Sequence, residues 1–140
     1  DTVSGNLGRV AGENVNAYSY TLGSVAASAP SNYNTSLTAG TFTIITKALT
    51  ITATGGQSKV YGSDDPISGF TYGNSGLVNG VTPQYWNSSG SYVNAATIND
   101  SVSGNLGRTS GENVGNYAYT LGTVAANILS NYNTSLTANT

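Results

Sequence analysis

The sequence predicts an all-β protein organised as tandem, sandwich-like repeats, and three observations carry that expectation. The first is duplication. The string SGNLGRVAGENVNAYSYTLGSVAASAPSNYNTSL at residues 4–37 returns as SGNLGRTSGENVGNYAYTLGTVAANILSNYNTSL at residues 103–136. Asp1 aligns with Asp100, an offset of 99 residues that holds without a gap to Thr41 and Thr140, and 30 of the 41 aligned positions are identical. Self-similarity at one fixed, domain-sized period is the signature of a repeat architecture. The second is composition. Charged residues make up only 7% of the chain and the formal net charge is −2, against a usual charged share of about 25%. Gly, Asn, Ser and Thr carry the polarity, yet ten Tyr stand among the Val, Ile and Thr; disordered chains are poor in aromatic and β-branched residues. The third is period: apolar and polar residues alternate in short runs, and helical spacing persists nowhere over a useful length.

The elements follow in chain order. In AYSYTL, residues 17–22, alternation puts Tyr18, Tyr20 and Leu22 on one face, the mark of a half-buried strand. The second copy, NYAYTL, keeps Tyr117, Tyr119 and Leu121 in phase. Gly23 and Gly122 interrupt, and SVAA or TVAA resumes as a short or bulged strand. NYNTSLT then reads as a further strand from Tyr33 and again from Tyr132. At most a single helical turn is expected, around residues 64–67 or 130–132.

The segment TFTIITKALTITA, residues 41–53, changes phase. Phe42 and Ile44 share one parity, whereas Ile45, Lys47, Leu49, Ile51 and Ala53 share the other. One strand serving one core does not slip by a residue, because a slip turns every side chain to the opposite face. A junction near residues 45–47 resolves the conflict. Residues 1–46 then form the C-terminal half of a preceding repeat, and residues 47–140 a nearly complete repeat lacking its closing strand. The expected fold of each repeat is an immunoglobulin-like two-sheet β-sandwich, with Tyr18, Tyr20, Leu22, Leu49, Ile51, Tyr117, Tyr119 and Leu121 turned inward. A β-grasp-like arrangement with one short helix is the alternative. An incomplete repeat presents open edges, so Phe42, Ile44 and Ile45 are expected to act as an assembly strand, donated to a groove beside residues 132–136 of the next repeat.

Between the two copies lies GGQSKVYGSDDPISGFTYGNSGLVNG, residues 55–80. Ser63-Asp64-Asp65-Pro66 is turn chemistry, with Asp capping local amides and Pro presetting φ, and Asn79-Gly80 is a strong turn pair. KVYGSDDP, FTYGNSGLVNG, the SGNLGR…GENVG…YAYTLGTVAA run, SNYNTSLTA and TFTIITKALTITA occur in that order. Together they resemble the MBG/YDG-type repeats of large bacterial surface adhesins and filamentous-haemagglutinin-like proteins. The likeness covers the chain once as a partial copy and once almost whole. One departure is TPQYWNSSGSYVNAATIND, residues 82–100, longer than that family's usual connection. The resemblance implies a secreted or bacterial cell-surface β-domain used in series, as stalk or adhesive module, with no catalytic role.

The residue inventory bounds the chemistry. There is no Cys and no His, which removes disulfides, thiolate metal sites and the usual general base, so no enzyme is expected. Arg9, Lys47, Lys59 and Arg108 are spread along the chain rather than clustered as nucleic acid requires. No apolar run approaches the ~20 residues of a membrane span, so neither nucleic acid nor membrane insertion is expected. The absence of Met predicts that Asp1 is not a translational start and that the chain is a window on a longer array. Arg9 and Glu13, like Arg108 and Glu112, stand four apart and are expected to brace the GENV turn as a local ion pair. Asp64 and Asp65 are the weak candidates for Ca²⁺; that ion takes six to eight oxygen ligands, no dense Asp/Asn loop is present, and no cofactor is expected. Tyr85, Trp86 and Tyr92, with Asn87 beside them, form the candidate ligand-binding cluster, since aromatic faces with amide neighbours suit sugar rings and protein anchors. Burial of Trp86 favours a spacer and exposure favours binding. The function expected is thus a structural stalk of a surface adhesin or extracellular fibre, partnered by other copies of the repeat. The alternative is a weak, multivalent carbohydrate- or protein-binding module meeting a glycan or a host or cell-surface protein.

Overall fold

The computed structural model describes residues 1–38 and 40–137. The fold is all-β and sandwich-like, assembled from several small two- and three-stranded sheets. Among the described residues there is no α-helix such as a β-grasp would need; two single 3-10 turns occur, at Pro30–Asn32 and Leu129–Asn131. They occupy the same place in the two copies, each ending on the first residue of its NYNTSLT string, while residues 64–67 carry no helical turn. The chain forms two compact units: Asp1–Ile45 with Gly80–Ile98, and Thr46–Asn79 with Asn99–Thr140.

The second unit holds the tightest core. Its central strand, Lys47–Ala53, pairs in parallel with Tyr132–Thr137, Lys47 opposite Tyr132 and Ile51 opposite Leu136. On its other edge it pairs antiparallel with Tyr72–Ser75, Ala53 opposite Tyr72. Alternation decides what is buried: Leu49 and Ile51 are 0% exposed and Ala53 1%, whereas Thr52 between them is exposed. Leu106, Tyr119, Val124, Ala126 and Tyr132 close over those side chains. Burying one Leu or Ile of this kind contributes about 1.5–3 kcal/mol. Two short ladders complete the unit, Val102–Ser103 with Ala125–Ala126 and Gly107–Arg108 with Tyr119–Thr120.

In the first unit Asn16–Thr21 runs between Gly8–Arg9 and Thr41–Ile44, antiparallel to both. Phe42 stands opposite Tyr18, and Ile44 opposite Asn16. Val3–Ser4 pairs with Ala26–Ala27, and a hairpin joins Gln84–Trp86 to Tyr92–Asn94. Residues 80–98, which the 99-residue period counts within the second repeat, therefore pack with the first. Gly90 at the hairpin tip is buried with φ +78°, and a Cβ there would collide with the backbone of Asn6 and Ser24. Only Gly allows that approach.

The phase change at residues 41–53 has a plain cause. Thr41–Ile44 belongs to the sheet of one unit and Lys47–Ala53 to the sheet of the other, with Ile45 between them 78% exposed. The groove expected beside residues 132–136 is corrected by the pairing. That edge is taken by Lys47–Ala53, whereas the closing strand of the first copy lies beside Asn16–Thr21. Carried forward by 99 residues, the counterpart of the paired stretch 16–19 is 115–118 in the second unit. The inward set is also uneven. Leu49, Ile51 and Tyr119 are buried, and Tyr18, Leu22, Tyr117 and Leu121 are half-buried, but Tyr20 is 37% exposed. Tyr20 and Tyr119 are equivalent residues. They differ because only Tyr119 has a Lys47–Ala53 strand packed over it.

Candidate functional site

Each copy builds the same small frame around its GENV turn. Arg9 Nη1 donates to the Val10 and Gly12 carbonyls at 3.0 and 2.7 Å, and its Nη2 reaches Glu13 Oε1 at 2.7 Å. Arg108 repeats this with Thr109 and Gly111 at 3.1 and 2.8 Å and with Glu112 at 2.8 Å. The Tyr18 hydroxyl donates to the Asn14 carbonyl, and the Tyr117 hydroxyl to that of Asn113, at 2.7 and 2.6 Å. Each guanidinium lies 5.1 Å from the ring of its own Tyr, Arg9 from Tyr18 and Arg108 from Tyr117. The ion pair read from the four-residue spacing is present in both copies. Gly111, at φ +149°, lies flat against the Tyr117 ring, where a Cβ would run into the ring carbons.

What differs is the other side of the arginine. Arg9 is stacked as well by Phe42 at 5.5 Å and Tyr85 at 4.7 Å, and it is 7% exposed. Arg108 meets carboxylates instead: its Nε and Nη2 hold Asp65 at 2.8 and 3.1 Å. Lys59 joins the group, 2.9 Å from Asp65 and 2.5 Å from Glu112. The guanidinium, and after it the Lys59 ammonium, holds the Asp65 carboxyl down at about 2. The same two cations lower Glu112, and hydrogen bonds to Glu112 and Asp65 raise Lys59. This four-charge cluster borders a cavity of about 400 Å³ whose walls include Phe70, Tyr117, Tyr119, Gly115 and Asn116. The cavity lies along residues 115–118, which form no strand, although their counterparts are the centre of a three-stranded sheet.

A second opening lies in the first unit, about 360 Å³ in volume, bordered by Asp1, Val3, Val25, Ala27, Tyr33 and Thr35. Here the hexapeptide Tyr-Asn-Thr-Ser-Leu-Thr at residues 33–38 is exposed and forms no strand, while the identical residues Tyr132–Thr137 do.

Of the residues singled out in the sequence, Tyr85, Trp86 and Tyr92 all fall on the hairpin of the first unit. Trp86 and Tyr92 are directly opposite each other with ring centroids 5.1 Å apart, and they are 41% and 54% exposed. Tyr85, one residue away, turns to the opposite face and covers Arg9. Asn87 is committed to the turn: its Oδ1 accepts the Ser89 and Ser91 amides, both at 3.0 Å. Asp65 is held by two cations, and Asp64 is exposed. Among the described residues, no three Asp or Glu converge as metal ligands would. Phe42 and Ile44 lie on the paired closing strand and Ile45 just beyond it. Sequence reasoning missed Asp65 as a partner of Arg108, Lys59 as a partner of Glu112, and Tyr85 as a partner of Arg9. Those contacts span 43–76 residues of chain, and no local spacing signals them.

Small sheets without an α-helix among the described residues, and an arginine–tyrosine frame built twice, define an all-β module. The model of the MBG domain (YGX type) matches residues 49–140, and the chain belongs to that family. Neither the curated proteins nor the solved structures return a match.

Proposed function

We propose that this chain is a non-catalytic structural repeat of a secreted bacterial surface adhesin or extracellular fibre, a stalk whose repeats complete one another by sharing strands. The observation that carries the reading is the unequal pair of arginines. In the first unit the closing strand Thr41–Ile44 lays Phe42 beside Arg9 and orders Asn16–Thr21 into a sheet. In the second unit the same frame, around Arg108 and Tyr117, borders a cavity and an unformed strand. A closing strand with the sequence Thr-Phe-Thr-Ile fits that edge, its Phe entering over the face of Arg108. In a continuous array the segment after each repeat supplies it. Between separate chains the same pairing is heterologous and propagates head to tail.

The test appends Phe-Thr-Ile-Ile-Thr after Thr140. The added strand is expected to slow amide exchange at residues 115–118 and to leave the extended form monomeric by light scattering, with any self-association confined to the shorter form. Unchanged exchange at 115–118 would remove the closing-strand reading. Equal monomeric sizes for both forms would remove strand donation between chains.

A second reading rests on one observation, the exposed pair of Trp86 and Tyr92. On this reading the hairpin is a weak contact for a glycan or a host or cell-surface protein, multiplied by repetition along the array. Trp86 is the sole Trp, so titration of the protein with oligosaccharides, followed by its fluorescence, tests the carbohydrate arm directly. An emission spectrum that stays unchanged across a broad glycan set removes the carbohydrate arm.

A further inference from the structure

We infer that the outer face of the hairpin at residues 84–94 is a binding strip for a neutral, unbranched glycan. The chain of pyranoses would lie along the strands, with one ring on Trp86 and Tyr92 and the next over Gln84 and Asn94. The inference rests on the glycan reading above and gives it a ligand class, a direction and a second subsite.

Alternation sorts the hairpin into two faces. Tyr85, Asn87 and Val93 are half-buried, whereas Gln84, Trp86, Tyr92 and Asn94 are exposed. The register sets the exposed residues in rungs: Trp86 opposite Tyr92 and, two residues along, Gln84 opposite Asn94. The Gln84 amide donates to Asn94 Oδ1 at 3.1 Å, and beyond that rung the hydroxyls of Thr82 and Thr97 meet at 2.7 Å. Aromatic, amide and hydroxyl pairs thus follow one another at intervals of about 7 Å, two residues of strand.

The inner face fixes the strip in place. The Tyr85 ring lies 4.7 Å from the Arg9 guanidinium, and Thr21 Oγ1 donates to the Ser88 carbonyl at 2.9 Å. The Asn87 side chain closes the turn on the Ser89 and Ser91 amides. A surface held in this way loses little freedom when a ligand arrives.

The chemistry of the strip selects its occupant. Residues 80–98 contain no Asp, Glu, Lys or Arg, and Arg9 beneath them is covered by Tyr85 and 7% exposed. The strip therefore offers no counter-charge to a uronate, a sulfate or a phosphate. Aromatic faces take the C–H faces of pyranoses whose hydroxyls are equatorial. Amides take the hydroxyls at the ring edges: each carries two N–H donors and an acceptor oxygen, so the bond between Gln84 and Asn94 engages only part of that set. The rings of Trp86 and Tyr92 are inclined 52° to each other. Two planes so inclined cannot both lie on a flat crystalline surface. They suit a single chain that twists from one sugar to the next.

The experiment titrates the full 140-residue chain with cello-oligosaccharide and chito-oligosaccharide, both neutral and built of equatorially linked rings, and with anionic polygalacturonate. Indole and side-chain amide signals are followed by NMR. A neutral chain is expected to shift the Trp86 indole and the Gln84 and Asn94 amides together, and in Trp86→Ala the amide shifts should vanish. The double variant Gln84→Ala/Asn94→Ala, with the circular dichroism of the parent, should bind roughly threefold to tenfold more weakly, the worth of one or two hydrogen bonds. If the indole moves while the amides do not, the aromatic contact stands and the strip is overturned. If neither neutral chain moves either signal, the strip is overturned, and the broader glycan titration decides the aromatic contact separately. Polygalacturonate binding as tightly as the neutral chains would overturn the ligand class. The same shifts produced by raising the protein concentration alone would make the hairpin a contact between copies of this chain instead.

Discussion

The Tyr132 hydroxyl donates a hydrogen bond to the Asp100 carboxylate at 2.5 Å, and 99 residues earlier Tyr33 donates the same bond to Asp1 at 2.6 Å. The first bond is buried, with Tyr132 6% and Asp100 8% exposed; the second is made by a Tyr that is 51% exposed. The Tyr132 oxygen also accepts the Val78 amide at 3.0 Å. One sequence and one bond thus occupy two environments, and the cost of breaking the bond should differ accordingly. Tyr132→Phe leaves a buried carboxylate without its donor and an amide without its acceptor, an expected loss of about 1–3 kcal/mol. Tyr33→Phe should fall within about 0.5 kcal/mol of the parent, as exposed substitutions do. Urea unfolding of the two variants reads the contrast, and equal losses would refute it.

The same tyrosine predicts an alkaline limit. Burial first, and then its bond to Asp100, raise the Tyr132 phenol above its ordinary value of 10.0. A group that holds its proton more tightly when folded contributes stability that is complete below the unfolded value and lost as pH rises through the folded one. Urea midpoints should therefore be flat up to about pH 9.5 and fall above about pH 10. Tyr132→Phe, already weaker, should fall less steeply there. A parallel decline for parent and variant would show that the loss has another source.

On the acid side the sign reverses. Asp65 is held at about 2 by the bond from Arg108 and then that from Lys59, and Glu112 is lowered by Lys59 and Arg108. A carboxyl depressed in the folded state contributes stability that is present above its unfolded value and lost as pH falls through the folded one. The unfolded values are 3.8 and 4.5. The cluster's contribution should thus fade from about pH 4.5 down toward 2. Carboxyl chemical shifts should place the Asp65 midpoint near 2 and move it upward in Arg108→Gln. A midpoint unmoved by Arg108→Gln would take the guanidinium out of the cluster.

The hairpin gives the next contrast. Trp86 stacks on Tyr92 in solvent while its neighbour Tyr85 covers the nearly buried Arg9. Trp86→Ala should change stability by no more than about 0.5 kcal/mol. Tyr85→Ala should cost about 1–2 kcal/mol, since it removes a desolvated cation–π contact as well as packing. Thermal unfolding read by far-UV circular dichroism settles it, and a costly Trp86→Ala would mark that residue as structural.

Much of this was legible in the sequence because it is local. Alternation picked out Leu49 and Ile51, the phase slip at residues 41–53 located the change of sheet, and the four-residue spacing found the Arg–Glu pairs. What was hidden depends on partners far along the chain. Residues 33–38 and 132–137 share one sequence and differ in structure, because a strand is a pairing rather than a property of the segment. The groove beside residues 132–136 was misplaced for the same reason: parity says which side chains turn inward but not which edge a neighbour takes. Nothing in the spacing of Tyr85 or Asp65 points to the arginine that each one meets.

If pairing decides the structure of that hexapeptide, weakening its partner should convert one copy into the likeness of the other. Leu49 and Ile51 are each 0% exposed, and their strand lies along Tyr132–Thr137. Ile51→Ala removes buried methyl groups and leaves a cavity, at an expected cost of about 2–5 kcal/mol. The loss should not spread evenly. Because Ile51 stands opposite Leu136, amide exchange at 132–137 should rise toward the level of residues 33–37, whose own rate stays fixed as an internal reference. The Arg108 frame around Gly111 and Tyr117 is bonded within its own copy and should keep its chemical shifts. If 132–137 remained protected while that frame loosened, the hexapeptide would owe its order to the loops that flank it, and strand sharing would lose its physical basis in this chain.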